Sequence, residues 1–159
     1  YVDVGGGSTE LNIVHEGELI DSRSFNLGTI RQISGMVKDE EREAFATYLK
    51  ELSEKHPKLH LVGTGGNINK LLRLGAPAER ANINVLPVES LRQVAERLRP
   101  LTPEERMLLF RLKPDRAEVI VPAADIFLTV ASITSSTEII VPTKGLADGI
   151  VDSICPALS

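Results

Sequence analysis

The chain has a single cysteine, Cys155, so it can form no internal disulfide and offers no cysteine cluster to a metal. Its three histidines, His15, His56 and His60, share no ligand spacing, which removes the usual zinc sites. No apolar run reaches membrane-spanning length, and no signal peptide is visible. Internal repeats, low-complexity stretches and linkers are missing too. The formal net charge is −4, so no global field draws the chain to nucleic acid or an anionic membrane. These absences point to a reducing, cytoplasmic setting without nucleic-acid or membrane partners. A polyanion would have to be met by a local site.

What is present suits one domain with a real core: 159 residues, 42% hydrophobic and 25% charged. Tyr1 to Val4, Leu11 to His15 and Leu19 to Asn26 read as three strands of a meander, joined by Gly5-Gly6-Gly7-Ser8-Thr9 and by Glu16-Gly17. The spacing of Phe45, Tyr48, Leu49 and Leu52 predicts a helix over residues 39–55, closed by Pro57. Leu59 to Val62 is a short apolar strand that turns through glycines into a helix carrying Ile68, Leu71 and Leu72, with Gly75 just past its end. Further helices are expected over residues 88–99, from a capping box at Thr102-Pro103-Glu104-Glu105, and over residues 115–132. Pro122 should kink or break the last of these. Glu138 to Val141 is the final strand, and a terminal helix is expected over 146–154. The simplest architecture is one mixed β-sheet with helices packed on its faces. Because a glycine-rich loop follows so soon after Tyr1, the chain is expected to be cut from something longer.

Four segments carry chemistry. In Asp3-Val4-Gly5-Gly6-Gly7-Ser8-Thr9-Glu10, three glycines permit positive φ and close backbone approach, successive amides form an anion nest, and Ser8 and Thr9 add hydroxyls. Asp3 and Glu10 flank that cradle, and carboxylates beside a phosphate are useful only if they hold a cation or orient water. A plain glycine hairpin would waste these neighbours. The second segment, Gly63-Thr64-Gly65-Gly66-Asn67, joins strand to helix and aims the helix N-terminus at whatever lies over the loop, with Asn67 as its N-cap. By itself it is equally well a packing turn, and it is neither a Walker A loop nor a dinucleotide fingerprint. In Ser24-Phe25-Asn26-Leu27-Gly28-Thr29-Ile30-Arg31, Arg31 either reaches an anion or sits on the surface. Lys144-Gly145-Leu146-Ala147-Asp148-Gly149-Ile150 reads as a structural turn, and Cys155 as a packed hydrophobe.

Taken in order, these pieces resemble the exopolyphosphatase/guanosine pentaphosphate phosphohydrolase family over essentially the whole chain. The stretch from Asp3 to Leu11 is similar to its second phosphate-binding motif. The serine-to-arginine segment from Ser24 to Arg31 and the loop from Val62 to Gly66 follow in the family's order, then the segments beginning at Leu101, Asp115 and Lys144. The resemblance implies a ribonuclease-H-like lobe of the actin-like ATPase and sugar kinase superfamily. Residues 1–159 would then be one domain, the second lobe of a two-lobe phosphatase whose first lobe is absent. It implies Mg²⁺-dependent release of terminal phosphate from inorganic polyphosphate or guanosine pentaphosphate. Asp3 and Glu10 would hold the metal or the attacking water, and Gly5, Gly6, Gly7, Ser8 and Thr9 the phosphate. Asn67-Ile68-Asn69 and Ala123 depart from the family pattern, which leaves the ligand of the Gly63 loop open. A non-catalytic phosphate sensor and a lobe of a sugar-kinase-like phosphotransferase stay open as alternatives, as does a homodimer.

Overall fold

The computed structural model describes residues 1–75 and 84–142, and the expected terminal helix, the segment from Lys144 and Cys155 lie outside them. Three strands open the chain: β1 (Val2–Val4), β2 (Thr9–His15) and β3 (Glu18–Phe25). Two helices follow, α1 (Thr29–Ile33) and α2 (Asp39–Lys55), then β4 (Leu61–Thr64) and α3 (Gly66–Gly75). After them come β5 (Val85–Pro87), α4 (Val88–Leu98), α5 (Pro103–Phe110), α6 (Pro114–Ile133) and β6 (Glu138–Ile140). The strands form one sheet in the order β3-β2-β1-β4-β6-β5. The meander is antiparallel, β1, β4 and β6 are parallel, and β5 returns antiparallel on β6. This is the mixed α/β architecture, one sheet with helices packed against it, that the periodicities imply.

The core is organised by α6, which touches α1, α2, α3, α4, α5 and β1. Its buried face alternates Ala117, Ala123, Ala124 and Ala131 with Ile120, Ile126 and Phe127. Small residues let neighbours approach, and the large ones fill the gaps between them. Gly63 completes that fit, because a Cβ there would lie 2.8 Å from Ile68 and 3.2 Å from Phe127. Pro122 does not break α6, which runs uninterrupted for 20 residues. Packing on both sides of the proline offsets its one lost backbone hydrogen bond.

Local signals hold where they are chemically complete. Thr102 accepts from the Glu105 amide at 3.2 Å, and the Glu105 carboxylate accepts from the Thr102 amide at 2.8 Å, closing the capping box. Arg106, one turn on, is buried and donates to the carbonyls of Leu98 and Ala117, pinning α5 between α4 and α6. Gly75 is the last residue of α3 rather than the residue beyond it, packed under Leu86 and Val94. The strand β5 had no periodic signal, since three residues are too few to show one.

Candidate active site

The two glycine segments meet because β1 and β4 are parallel neighbours, with Asp3 opposite Thr64. Both loops therefore leave the sheet at the same edge, outside the carboxyl ends of adjacent strands, where open α/β sheets place their ligands. Asp3 also faces Glu10 across the antiparallel pair, and Glu10 faces Ser24. Directly opposed residues share a face with Cβ atoms about 5 Å apart, so the two carboxylates stand side by side. Asp3 is half-buried and Glu10 exposed. Among the described residues neither carboxylate makes a hydrogen bond or an ion pair.

The first loop is held from beneath. The amides of Thr29 and Ile30, at the start of α1, donate to the carbonyls of Gly5 and Gly6 at 3.0 and 2.9 Å. Gly28 makes this possible, since a Cβ there would fall 2.3 Å from the Gly6 carbonyl oxygen. The Gly5 amide is used internally, on the Ser8 carbonyl. The amides of Gly6, Gly7 and Ser8 have no partner among the described residues. With its carbonyls tied down and these donors unspent, the turn has successive free amides of the kind from which anion nests are made.

The reason for the glycines differs from the expected one. None of Gly5, Gly6 and Gly7 takes a positive φ. They keep the surface open instead: Gly7 has nothing within 4 Å of a would-be Cβ, and Gly6 would meet only the Ile30 side chain. The positive φ sits in the second loop, at Gly65 (+93°), where a Cβ would also lie 2.7 Å from the Asp3 carboxylate. Gly65 thus makes room for Asp3.

Other expected residues sort themselves by burial. Thr9 is fully buried and its hydroxyl donates to the Leu27 carbonyl, which removes it from the phosphate-binding set. Thr64 is buried at the end of β4, and Gly63 lies in the core, so only Gly65 and Gly66 of the second loop reach the surface. Asn67 is not an N-cap. It lies inside the first turn of α3, 6% exposed, and its amide nitrogen donates to the Val4 carbonyl at 3.0 Å. Arg31 is half-buried on α1, and its Nε is buried without a hydrogen-bond partner. Arg31 is therefore not a fully solvated side chain, and its Nε is a donor still unspent.

One site residue escaped the sequence. Arg116, in the first turn of α6, lies across the second loop, with Nη2 2.9 Å from the position of a Cβ on Gly66. Its Nη1 donates to the Asn67 side-chain oxygen, and the other N–H groups of the guanidinium have no partner among the described residues. A signal existed: a cation in the first turn of a helix opposes the helix dipole and needs another reason to be there.

Among the described residues no three histidine, cysteine, aspartate or glutamate side chains cluster as a ready-made metal cage. Two adjacent carboxylates do suit Mg²⁺, which is usually bound by one or two carboxylates with water and substrate phosphate completing its shell. No described helix is long and apolar enough to cross a membrane.

The chain matches the Ppx/GppA phosphatase family model over residues 1–158. A solved Ppx/GppA phosphatase from Aquifex aeolicus is 27% identical and superposes with a TM-score of 0.71, covering 96% of this chain and 55% of its own. An exopolyphosphatase from Cytophaga hutchinsonii shares the fold at 22% identity, with a TM-score of 0.71 over 99% of this chain and 57% of its own. The chain thus spans little more than half the length of these structures. No curated protein matches it.

Proposed function

Because this chain belongs to the Ppx/GppA phosphatase family, we propose that it supplies the phosphate-binding half of a phosphoanhydride hydrolase acting on inorganic polyphosphate or guanosine pentaphosphate. The observation that supports this most is the meeting of two glycine loops at one sheet edge, with unspent amides beside unpartnered carboxylates. An anion nest needs no carboxylates, and a metal site needs no anion nest. Their coexistence fits a substrate that is a phosphate carried with a cation.

In this reading the terminal phosphoryl group rests on the amides of Gly6, Gly7 and Ser8. Arg116 and Arg31 approach its oxygens, where charge develops as the anhydride bond breaks. The donors are fixed before the substrate arrives, because α1 and the sheet already hold the turn. Asp3 and Glu10 would hold Mg²⁺, which supplies charge neutralisation on the phosphates when bound. Both carboxylates have acceptor capacity left to orient a water for in-line attack. A first lobe, absent from this chain, closes the cleft from the other side.

The test is phosphate release from long-chain polyphosphate and from guanosine pentaphosphate, by the chain alone and joined to a first lobe. Negligible turnover alone and Mg²⁺-dependent turnover when joined are expected. Robust turnover by the lone chain would remove the split-site reading, and none by the joined form would remove the hydrolase.

A further inference from the structure

The buried amide of Asn67, in the first turn of α3, has both ends engaged by other elements. A carbonyl can only accept and a guanidinium can only donate, so the partners fix the amide's orientation without ambiguity. Its nitrogen faces the Val4 carbonyl at the end of β1, and its oxygen faces Nη1 of Arg116. With both ends of the amide engaged by protein partners and 6% of its surface exposed, Asn67 is turned towards its neighbours rather than towards solvent. It connects three elements: the strand that leads into Gly5, the helix that begins at Gly66, and the helix that carries Arg116.

We propose that Asn67 is a positioning residue, tying the Arg116 guanidinium to the end of β1 so that the arginine is held beside the glycine turn before an anion arrives. This rests on the reading of the two loops as a phosphate site. Arginine otherwise loses much rotamer freedom when it captures a ligand, and a tether made in the folded state removes that cost from binding. Gly66 is part of the device, because a side chain there would push the guanidinium out of its place 2.9 Å away. The tether uses one edge of the guanidinium and leaves Nη2 and Nε, the edge suited to bidentate phosphate contact.

The experiment compares the whole chain with Asn67→Ala and Asn67→Leu, the second keeping volume in the buried pocket should the first fail to fold. The first readout is the Arg116 guanidinium by NMR, through rotation about Cζ–Nε and exchange of Hε. Restricted rotation in the wild type and free rotation in the variants is expected, and equal rotation in both overturns the proposal. The second is tripolyphosphate affinity by calorimetry. Asn67→Ala should weaken binding roughly tenfold, the scale of one hydrogen bond to a charged group. In an Arg116→Ala background the same change should cost nothing further. An equal loss in both backgrounds would mean that Asn67 does not act through Arg116, and the proposal falls. If the wild type binds no tripolyphosphate, the phosphate-site reading fails, while the guanidinium readout still decides the role of Asn67.

Discussion

The turn at Gly5–Gly7 and the loop at Gly63–Gly66 look alike in sequence and use glycine for opposite purposes. In the first, Gly6 and Gly7 leave their amides bare while α1 grips the carbonyls of Gly5 and Gly6 below. In the second, each glycine yields to a named neighbour: Gly63 to Phe127 and Ile139, Gly65 to the Asp3 carboxylate, Gly66 to Arg116. The first loop leaves donors open at the surface, and the second makes room for other side chains. Substitutions should therefore separate binding from stability differently in the two loops.

The largest expected effect lies where the loops share a residue. In the two-lobe form, Asp3→Asn and Glu10→Gln should each lower kcat about 100-fold or more, the range for lost acid–base groups. Phosphate affinity should hold or improve as repulsion is relieved, with Tm almost unmoved. A lowered Tm with kcat retained would make the carboxylates structural and dissolve the comparison.

Next comes Gly65→Ala against Gly6→Val. At Gly65 the positive φ alone costs about 1–2 kcal/mol, a Tm fall of roughly 4 °C, and the new Cβ displaces Asp3, so kcat should drop as well. At Gly6 the backbone tolerates a side chain and the atom met is the tip of Ile30, itself 58% exposed. Gly6→Val should thus cost little stability yet abolish phosphate-induced amide shifts at Gly6, Gly7 and Ser8. Equal melting losses in the two variants would show that the loops are not different after all. Gly7→Ala, with open space around it, should change stability by less than about 0.5 kcal/mol.

The smallest effect calibrates the rest, away from both loops. The Tyr48 hydroxyl donates to Asp21 at 2.8 Å, joining α2 to β3 and holding the Asp21 carboxyl below its ordinary value of 3.8. A depressed carboxylate pKa gives stability that is complete above the unfolded value and lost as pH falls through the folded one. Burial, with help from Asp21, pushes Tyr48 up to about 12, so its contribution fades as pH rises from 10 towards that value. Tyr48→Phe should therefore be destabilised at neutral pH and converge on the wild type at both extremes. A Tm gap that stays constant from pH 2 to pH 12 would remove the coupling, while phosphate binding at neutral pH should not change.

What the sequence alone determined is whatever is encoded within a few residues of itself. The meander, the helix over 39–55 and the capping box at Thr102 rest on periodicity and on side chains that meet their own backbone, so they survive unaltered. The glycine motif with its flanking carboxylates was legible for the same reason: Asp3 and Glu10 are brought together by one hairpin. Tertiary structure decided what depends on distant partners. Thr9 looks like a ligand until Leu27 takes its hydroxyl, and Asn67 looks like a cap until Val4 and Arg116 take both ends of its amide. Pro122 looks like a break until packing around α6 outweighs one hydrogen bond. Arg116 lies 49 residues from Asn67, and only the parallel pairing of β1 with β4 and the docking of α6 close that separation. Local patterning specifies elements, whereas the choice between ligand and brace is made by contacts that exist only once the chain has folded.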